Sequence, residues 1–239
     1  MSKSASAGTF GWTINGLIRS ASAAIEAQSE TRKGLPAFIK VVGANKLWTA
    51  ETSGDVTDST AISLAHDDKV ACSILADGIK VLGFLTSFSC SGSSNSVVEF
   101  RAACEGKSTG SGTAADPGDP VFLEEGTITG GDATTSADII EFSIDCSWTL
   151  EHTFSTTGET TGEPTADGTS FKSFDGSATF VTSEARSDTT GTSSDAVGFS
   201  IAVGGLTVAG TGKTTKVEQT AEVDGLIKFK RTVTIVTIT

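Results

Sequence analysis

Segment 210–215, with the sequence GTGKTT, is the part of the chain whose residue types most suggest ligand chemistry. A phosphate-binding loop ends in Gly-Lys-Thr between a strand and a helix, where backbone amides hold the phosphates. The complete motif requires a second Gly five residues before Gly212, and this chain has Thr207 there. Residues 216–220 are charged and β-branched, which predicts a strand and not the required helix. We therefore interpret the segment as a hairpin loop.

The residues needed for nucleophilic hydrolysis are not arranged for it either. A nucleophile elbow has Gly-x-Ser-x-Gly between a strand and a helix, and no such pentapeptide stands in that context. A triad also needs a His, and the chain has only His66 and His152. His152 lies on the apolar side of an alternating segment, which predicts a half-buried, hydrogen-bonded ring. His66 precedes Asp67 and Asp68 in a predicted turn, so we expect it to be exposed. The sequence assigns no catalytic residue and favours a non-enzyme.

Paired carboxylates are the remaining candidates for metal chemistry. Glu124 with Glu125, and Asp116 with Asp119, could bind a hard cation. Calcium loops place several oxygen ligands at alternate positions around a Gly, and segment 116–120 lacks that density of ligands. The sequence therefore predicts neither a metal nor a cofactor.

The cysteines Cys72, Cys90, Cys104 and Cys146 have no CxxC spacing and no neighbouring His. Short ligand spacings are typical of structural zinc sites, so zinc is disfavoured. Each Cys stands in an apolar, β-like run, which favours buried thiols that act as small hydrophobic side chains. Disulfides are the alternative, and four cysteines allow three pairings.

Composition and charge exclude further classes. The 239 residues carry a formal net charge of −12, which is a poor match for nucleic acid. No run approaches the 18 apolar residues of a membrane span, and residues 1–17 lack the apolar core of a signal peptide. Ser and Thr together exceed a quarter of the chain. We expect an N-terminal arm at residues 1–16 and one β-rich domain at residues 17–239, with a subdivision near residues 106–120 as the alternative.

The acidic residues are concentrated in one segment. Residues 121–200 contain only two cationic residues, Lys172 and Arg186, against fourteen acidic ones, whereas the flanking segments are near neutral. Solubility alone accounts for such a surface. The sharper hypothesis is a charged face that forms the lumen or a seam of an assembly, with Glu141, Asp145 and Glu151 as the residues to test.

Period-2 alternation predicts long strands. Residues 140–154 alternate between apolar and polar side chains throughout, and residues 69–104 form a predicted meander with a turn at Asp77-Gly78. Further strands are predicted within residues 170–183, 196–208 and 226–239, the last with an apolar face of Ile227, Phe229, Val233 and Ile235. Long polar loops are predicted at residues 106–120, 155–169 and 183–195.

One helix is expected in this β framework. Residues 20–32 are rich in Ala and contain neither Gly nor Pro, while Gly34 and Pro36 follow. A strand over residues 14–27 is the alternative. The predicted fold class is mainly β, an antiparallel β-sandwich or barrel with one short N-terminal helix and long polar loops.

Two stretches resemble the tail tube proteins of tailed bacteriophages. They are residues 174–180 (FDGSATF) and residues 223–229 (VDGLIKF), in which Asp-Gly precedes alternating apolar and polar residues. The resemblance covers residues 121–239. It implies β-sandwich or β-barrel subunits that stack as hexameric rings, with long loops and a terminal arm joining subunits and an acidic lumen that does not retain DNA. It transfers no functional residue to a numbered position.

The expected function is therefore structural. The chain is predicted to self-associate into rings, a tube or a filament in a virion, without sequence-specific nucleic-acid binding and without a membrane span. Two alternatives stay open, namely a capsid-decorating or cell-surface binding module and an extracellular pilus-like or fibre-like subunit held by two disulfides.

Overall fold

The structure is a computed structural model. It describes residues 10–12, 16–34, 38–62, 64, 69–74, 80–108, 118–130, 139–152, 169–183, 197–221 and 227–238. The strands are β1 (Phe10–Trp12), β2 (Leu17–Gly34), β3 (Phe38–Asp55), β4 (Lys69–Ile74), β5 (Lys80–Ser93), β6 (Glu99–Ser108), β7 (Thr127–Gly130), β8 (Ile139–His152), β9 (Thr169–Thr182), β10 (Val197–Val203), β11 (Leu206–Thr220) and β12 (Lys228–Ile238). A single turn of 3-10 helix, Leu123–Glu125, precedes β7. The described residues contain no α-helix.

All strands belong to one antiparallel sheet. Ten of them follow the order β2-β3-β6-β5-β8-β9-β12-β11-β10-β7, while β4 pairs with β5 and β1 pairs with β4. The first part of β5 pairs with β4 and the last part with β8, so one edge of β5 serves two neighbours. The prediction of a mainly β, antiparallel fold is confirmed. The choice between sandwich and barrel stays a prediction.

The helix predicted at residues 20–32 is wrong, because these residues form part of strand β2. The strand pairs with β3 along its length, and the hydroxyls of Ser20 and Ser53 lie 2.7 Å apart in this ladder. Ala23 is half-buried while Ser22 and Ala24 are exposed, which is the alternation of a strand. Helix propensities differ by less than about 1 kcal/mol per residue, so pairing with β3 overrides the preference of Ala.

Strand β8 shows the alternation that the sequence predicts. Phe142, Ile144, Cys146 and Trp148 are buried, and the residues between them face away from the core. The predicted range 140–154 agrees with Ile139–His152, and residues 153 and 154 lie outside the described residues. The meander prediction is confirmed likewise, since β4, β5 and β6 pair in antiparallel order.

The sheet curls so that distant strands meet over the core. The rings of Phe180 on β9 and Phe199 on β10 lie 6.3 Å apart, although β12 and β11 separate these strands in the sheet. The turn between β10 and β11 packs on the residues after β3, where the amide of Gly205 donates to the carbonyl of Thr57 at 3.0 Å. Gly204 occupies this turn with a φ of 58°, a backbone conformation that favours glycine.

Two expectations for the C-terminal half need correction. Segment 210–215 is not a hairpin loop, because it lies inside β11 with bulges on both sides of Lys213. The strand predicted within residues 170–183 is confirmed as β9, in which Asp175 and Gly176 pair with Ser147 and Cys146 of β8. Ile227 is 45% exposed and does not share the buried face of Phe229, Val233 and Ile235.

The predicted turns and loops are only partly described. The predicted turn at residues 77–78 lies outside the described residues, as do Asp224-Gly225 and most of each of the three long loops. The strands before and after each of these two Asp-Gly pairs are in antiparallel register, with Ser73 opposite Lys80 and Thr220 opposite Lys228. Of the predicted loop at 106–120, residues 106–108 belong to β6.

Candidate functional site

The two histidines are the candidates for catalytic chemistry, and the one that the structure describes makes a hydrogen-bonded contact within the fold. His152 is half-buried, and its Nε2 lies 2.8 Å from Oε1 of Glu105. This contact confirms the prediction of a hydrogen-bonded histidine. His66 lies outside the described residues.

The described residues that were considered as metal ligands form local hydrogen bonds involving backbone amides. Oε1 of Glu124 accepts the amide of Asn95, and Oε2 of Glu125 accepts the amide of Phe122 at 3.0 Å. Asp119 donates its amide to Oδ1 of Asp58 at 3.1 Å. Asp116 lies outside the described part of the chain, which contains no group of three or more ligating side chains that could hold a metal ion.

Three of the cysteines are free and buried, as the favoured interpretation predicted. Burial raises the pKa of Cys104 and of Cys146 to about 12, and it raises the pKa of Cys90 further. Thiolates are the reactive form of cysteine, so these thiols are inert in the folded state. The side chain of Cys72 lies outside the described residues.

The side of the sheet that faces away from the core, which we call the outer face, is lined by small hydroxyl side chains. One register row crosses eight strands and reads Ser20, Ser53, Arg101, Ser89, Asp145, Ser177, Thr234 and Lys213. Strand β5 contributes Ser87, Ser89, Ser91 and Ser93 to this face, while Phe88 and Cys90 between them are buried. The centre of the outer face is therefore polar and formed by short side chains.

Two shallow depressions flank Arg101 on the outer face. One, of about 280 Å³, has Asp145 and Asp175 in its wall, and the other, of about 340 Å³, has Arg19 and Glu99. Serine side chains line both. Arg101 itself is exposed. Sequence reasoning missed Arg101, although the alternation of Ser with buried residues at 87–93 was a signal for a polar face beside it.

Arg19 links three strands at the border of this face. Its Nη1 lies 2.6 Å from Oε1 of Glu99 on β6, and its Nε donates to Oδ2 of Asp55 on β3 at 3.0 Å. Asp55 is buried, so the guanidinium compensates a carboxylate that has little access to water. Glu99 and Asp55 raise the pKa of Arg19.

The acidic residues singled out in the sequence lie together on β8. Glu141, Asp145 and Glu151 are all exposed on the outer face. Glu151 forms an ion pair with Lys172 of β9.

The hairpin of β2 and β3 is the longest element and carries an open edge. Among the described strands, β2 pairs only with β3, and β3 pairs with β6 only from Trp48 to Asp55. Residues 29–34 and 38–43 thus form a two-stranded ribbon that pairs with no third strand among those described. We call this segment the β2–β3 ribbon.

Neither a protein-family model nor a curated protein matches this chain. Within the described ranges, no helix has the length and apolar character needed to cross a membrane. The class that the structure establishes is therefore a single-sheet, antiparallel β protein.

Proposed function

We propose that this chain is a non-enzymatic structural protein that self-assembles into a tube or related filament, similar to the tail tube of a virion. The observation that carries the proposal is the open edge of β2 together with the β2–β3 ribbon. Both features leave backbone hydrogen-bonding groups without a partner strand among the described residues.

An unpaired strand edge is a template for a second chain. A two-stranded ribbon alone is marginally stable in water and needs a further strand or a packing surface. Strand β2 is 18 residues long, about three times an ordinary strand. A neighbouring copy that pairs with this edge would satisfy both requirements, because strand addition forms main-chain hydrogen bonds along the whole interface.

The charge of the outer face is compatible with a role in assembly. This face carries exposed acidic residues on β8, and the chain as a whole has a net charge of −12. Like charges along a tube wall would repel nucleic acid, which suits a conduit. The same strip could instead meet a cationic residue of a neighbour, which would make it a seam.

A binding module is the second candidate, and the serine-lined depressions beside Arg101 favour it. Such a module would decorate a capsid or a cell surface as an isolated molecule. It differs from the first candidate in one measurable respect, because it needs no second copy of itself.

Electron microscopy of the purified protein over a concentration series, with sedimentation velocity on the same samples, tests the proposal. We expect rings or tubes of uniform diameter at high concentration. A variant in which Asn-Gly replaces residues 28–45 removes the β2–β3 ribbon and joins the paired residues Ala27 and Lys46 by a two-residue turn. We expect this variant to remain folded and to lose assembly.

Two matched point variants test the role of the β2 edge in assembly without any deletion. Ser22→Lys places a charge on the exposed edge strand, and Thr215→Lys places the same charge on the exposed side of β11. Assembly should weaken only in the first. Small particles at every concentration, or equal assembly of both point variants and the shortened chain, would contradict the proposal.

A further inference from the structure

We propose that the outer face forms a twofold contact with a second copy of the chain, in which Arg101 of each copy pairs with Asp145 of the other. This contact is a surface separate from the open edge of β2. It would make the acidic strip of β8 a seam and not a lumen. It adds a second interface to the proposed self-assembly but is tested separately from it.

The register of the sheet places the two charges symmetrically. Arg101 and Asp145 face Ser89 from opposite sides, on β6 and on β8. Because neighbouring strands are about 4.8 Å apart, the two positions lie roughly 10 Å from each other in the same row. A twofold axis parallel to β5 that lies above Ser89, midway between the two packed faces, therefore places each Arg101 opposite Asp145 of the second copy.

The rest of the row matches under the same axis. Ser53 lies opposite Ser177 of the second copy and Ser20 lies opposite Thr234, so this row brings no like charges together on either side of the central pairs. A twofold contact requires such a self-complementary patch, because the same surface serves both partners. Serine side chains on β5 are short, which allows two sheets to approach at the usual spacing of about 10 Å.

Arg101 and Asp145 remain available for this contact. Both side chains are exposed. The acidic neighbour of Arg101 on its own strand, Glu99, is held by Arg19 at 2.6 Å. Among the described residues, Arg101 and Asp145 each lack an ion-pair partner in their own chain.

Among the described residues, the same axis also creates one unfavourable pairing. Glu51 of β3 and Asp175 of β9 lie one row away, each two strands from β5, and they face each other across the two copies. Adjacent strands rotate by about 20–25°, so two twisted sheets are closest at the axis and separate away from it. The central Arg101–Asp145 attraction therefore outweighs the more distant and more hydrated repulsion.

Charge exchange tests the contact directly. We expect Arg101→Asp and Asp145→Arg each to raise the dissociation constant of the dimer about tenfold, since each replaces two attractions by two repulsions. The double variant R101D/D145R should return to within about threefold of the parent protein, because the pair is restored with exchanged positions. Sedimentation velocity over a concentration series at low and high salt measures all four proteins.

Removal of equal charge at two positions provides the matched control. Asp145→Asn should weaken association, whereas Glu51→Gln should strengthen it by about twofold, although both remove one negative charge. Solubility or net charge alone would move the two variants in the same direction. All of these side chains are exposed, and far-ultraviolet circular dichroism checks that each variant is folded.

The outcomes separate this inference from the proposed function. Assembly that is lost with the β2–β3 ribbon but unchanged by R101D and D145R would overturn the twofold contact and keep the proposed function. A double variant as weak as the single variants, or a parent protein without any dimer, would also overturn the contact. Recovery in the double variant together with assembly that survives loss of the ribbon would support the contact and contradict the edge-strand argument.

Discussion

The two terminal strands of the sheet order, β7 and β2, differ in length and in surroundings. At the β7 end, the terminal strand has only four residues, and the neighbouring β10–β11 turn hydrogen-bonds to Thr57. At the β2 end, the terminal strand has 18 residues and continues into a ribbon. The β7 end contributes to the core, whereas the β2 end has backbone groups that pair with no further described strand. Under the proposed function the β2 edge serves association, so stability and association at this edge can be changed separately.

Loss of a core aromatic at the β7 end should have the largest effect. Phe180→Ala removes a side chain that is 2% exposed and contacts Phe199 of β10. We expect the free energy of unfolding to fall by about 3–5 kcal/mol. Phe122→Ala is the control, because that ring is 45% exposed, and it should cost less than about 1 kcal/mol. Urea unfolding of both variants measures the difference, and equal losses would place the core elsewhere.

A methyl group in the β10–β11 turn should have the next largest effect. A Cβ on Gly205 would overlap the backbone carbonyl oxygens of Thr60 and Asp58. We expect Gly205→Ala to cost about 2–3 kcal/mol in unfolding free energy. Gly198→Ala adds the same methyl group to β10 in open space, with the nearest atom 4.0 Å away. A small loss for Gly205→Ala, similar to that for Gly198→Ala, would show that the turn does not close against this segment.

At the β2 end, Arg19→Gln should have a smaller effect on stability than Gly205→Ala. The substitution leaves the buried carboxylate of Asp55 without its cation and breaks the link from β2 to Glu99. The midpoint of thermal unfolding should therefore fall. Lys213→Gln removes a cation from an exposed position on β11 and should leave the midpoint near that of the parent. Equal midpoints for the two variants would argue against a structural role of the Arg19 cluster.

Ionisation of the buried thiols should have the smallest effect on the free energy of unfolding near neutral pH. Because burial raises the pKa of Cys104 and Cys146 to about 12, unfolding above the ordinary thiol pKa releases their protons. Their contribution to stability is thus complete below about pH 8.5 and declines as the pH rises toward 12. A thiol reagent at pH 8 should label Cys90, Cys104 and Cys146 only after denaturation. Rapid labelling of all three in the folded protein would contradict their burial.

Alternation made the strands predictable, because one buried face imposes period 2 on the sequence. Phe142 to Trp148 on β8 and Phe100 to Cys104 on β6 follow this rule and are buried as expected. The error at β2 has a physical cause, since an Ala-rich strand at the edge of a sheet lacks the large apolar residues that mark a strand. The hairpin loop predicted at residues 210–215 is wrong for another reason. The glycines of this segment do not form a turn but allow the backbone of β11 to approach β12 closely.

The outer face was only partly predictable. The acidic residues of β8 were apparent from their spacing, but the position of Arg101 and Asp145 on the two sides of Ser89 depends on the strand order β6-β5-β8. That order joins residues that are distant in the sequence, and local patterns carry no information about it. The open edge of β2 could not be predicted for the same reason.

Hydrogen exchange of backbone amides, compared between dilute and concentrated protein, tests the central claim that β2 is the associating edge. We predict that amides of Leu17 to Ala27 gain protection as the concentration rises, while amides of β7 do not change. Protection that appears on β7 alone, or no concentration dependence along β2, would contradict the claim.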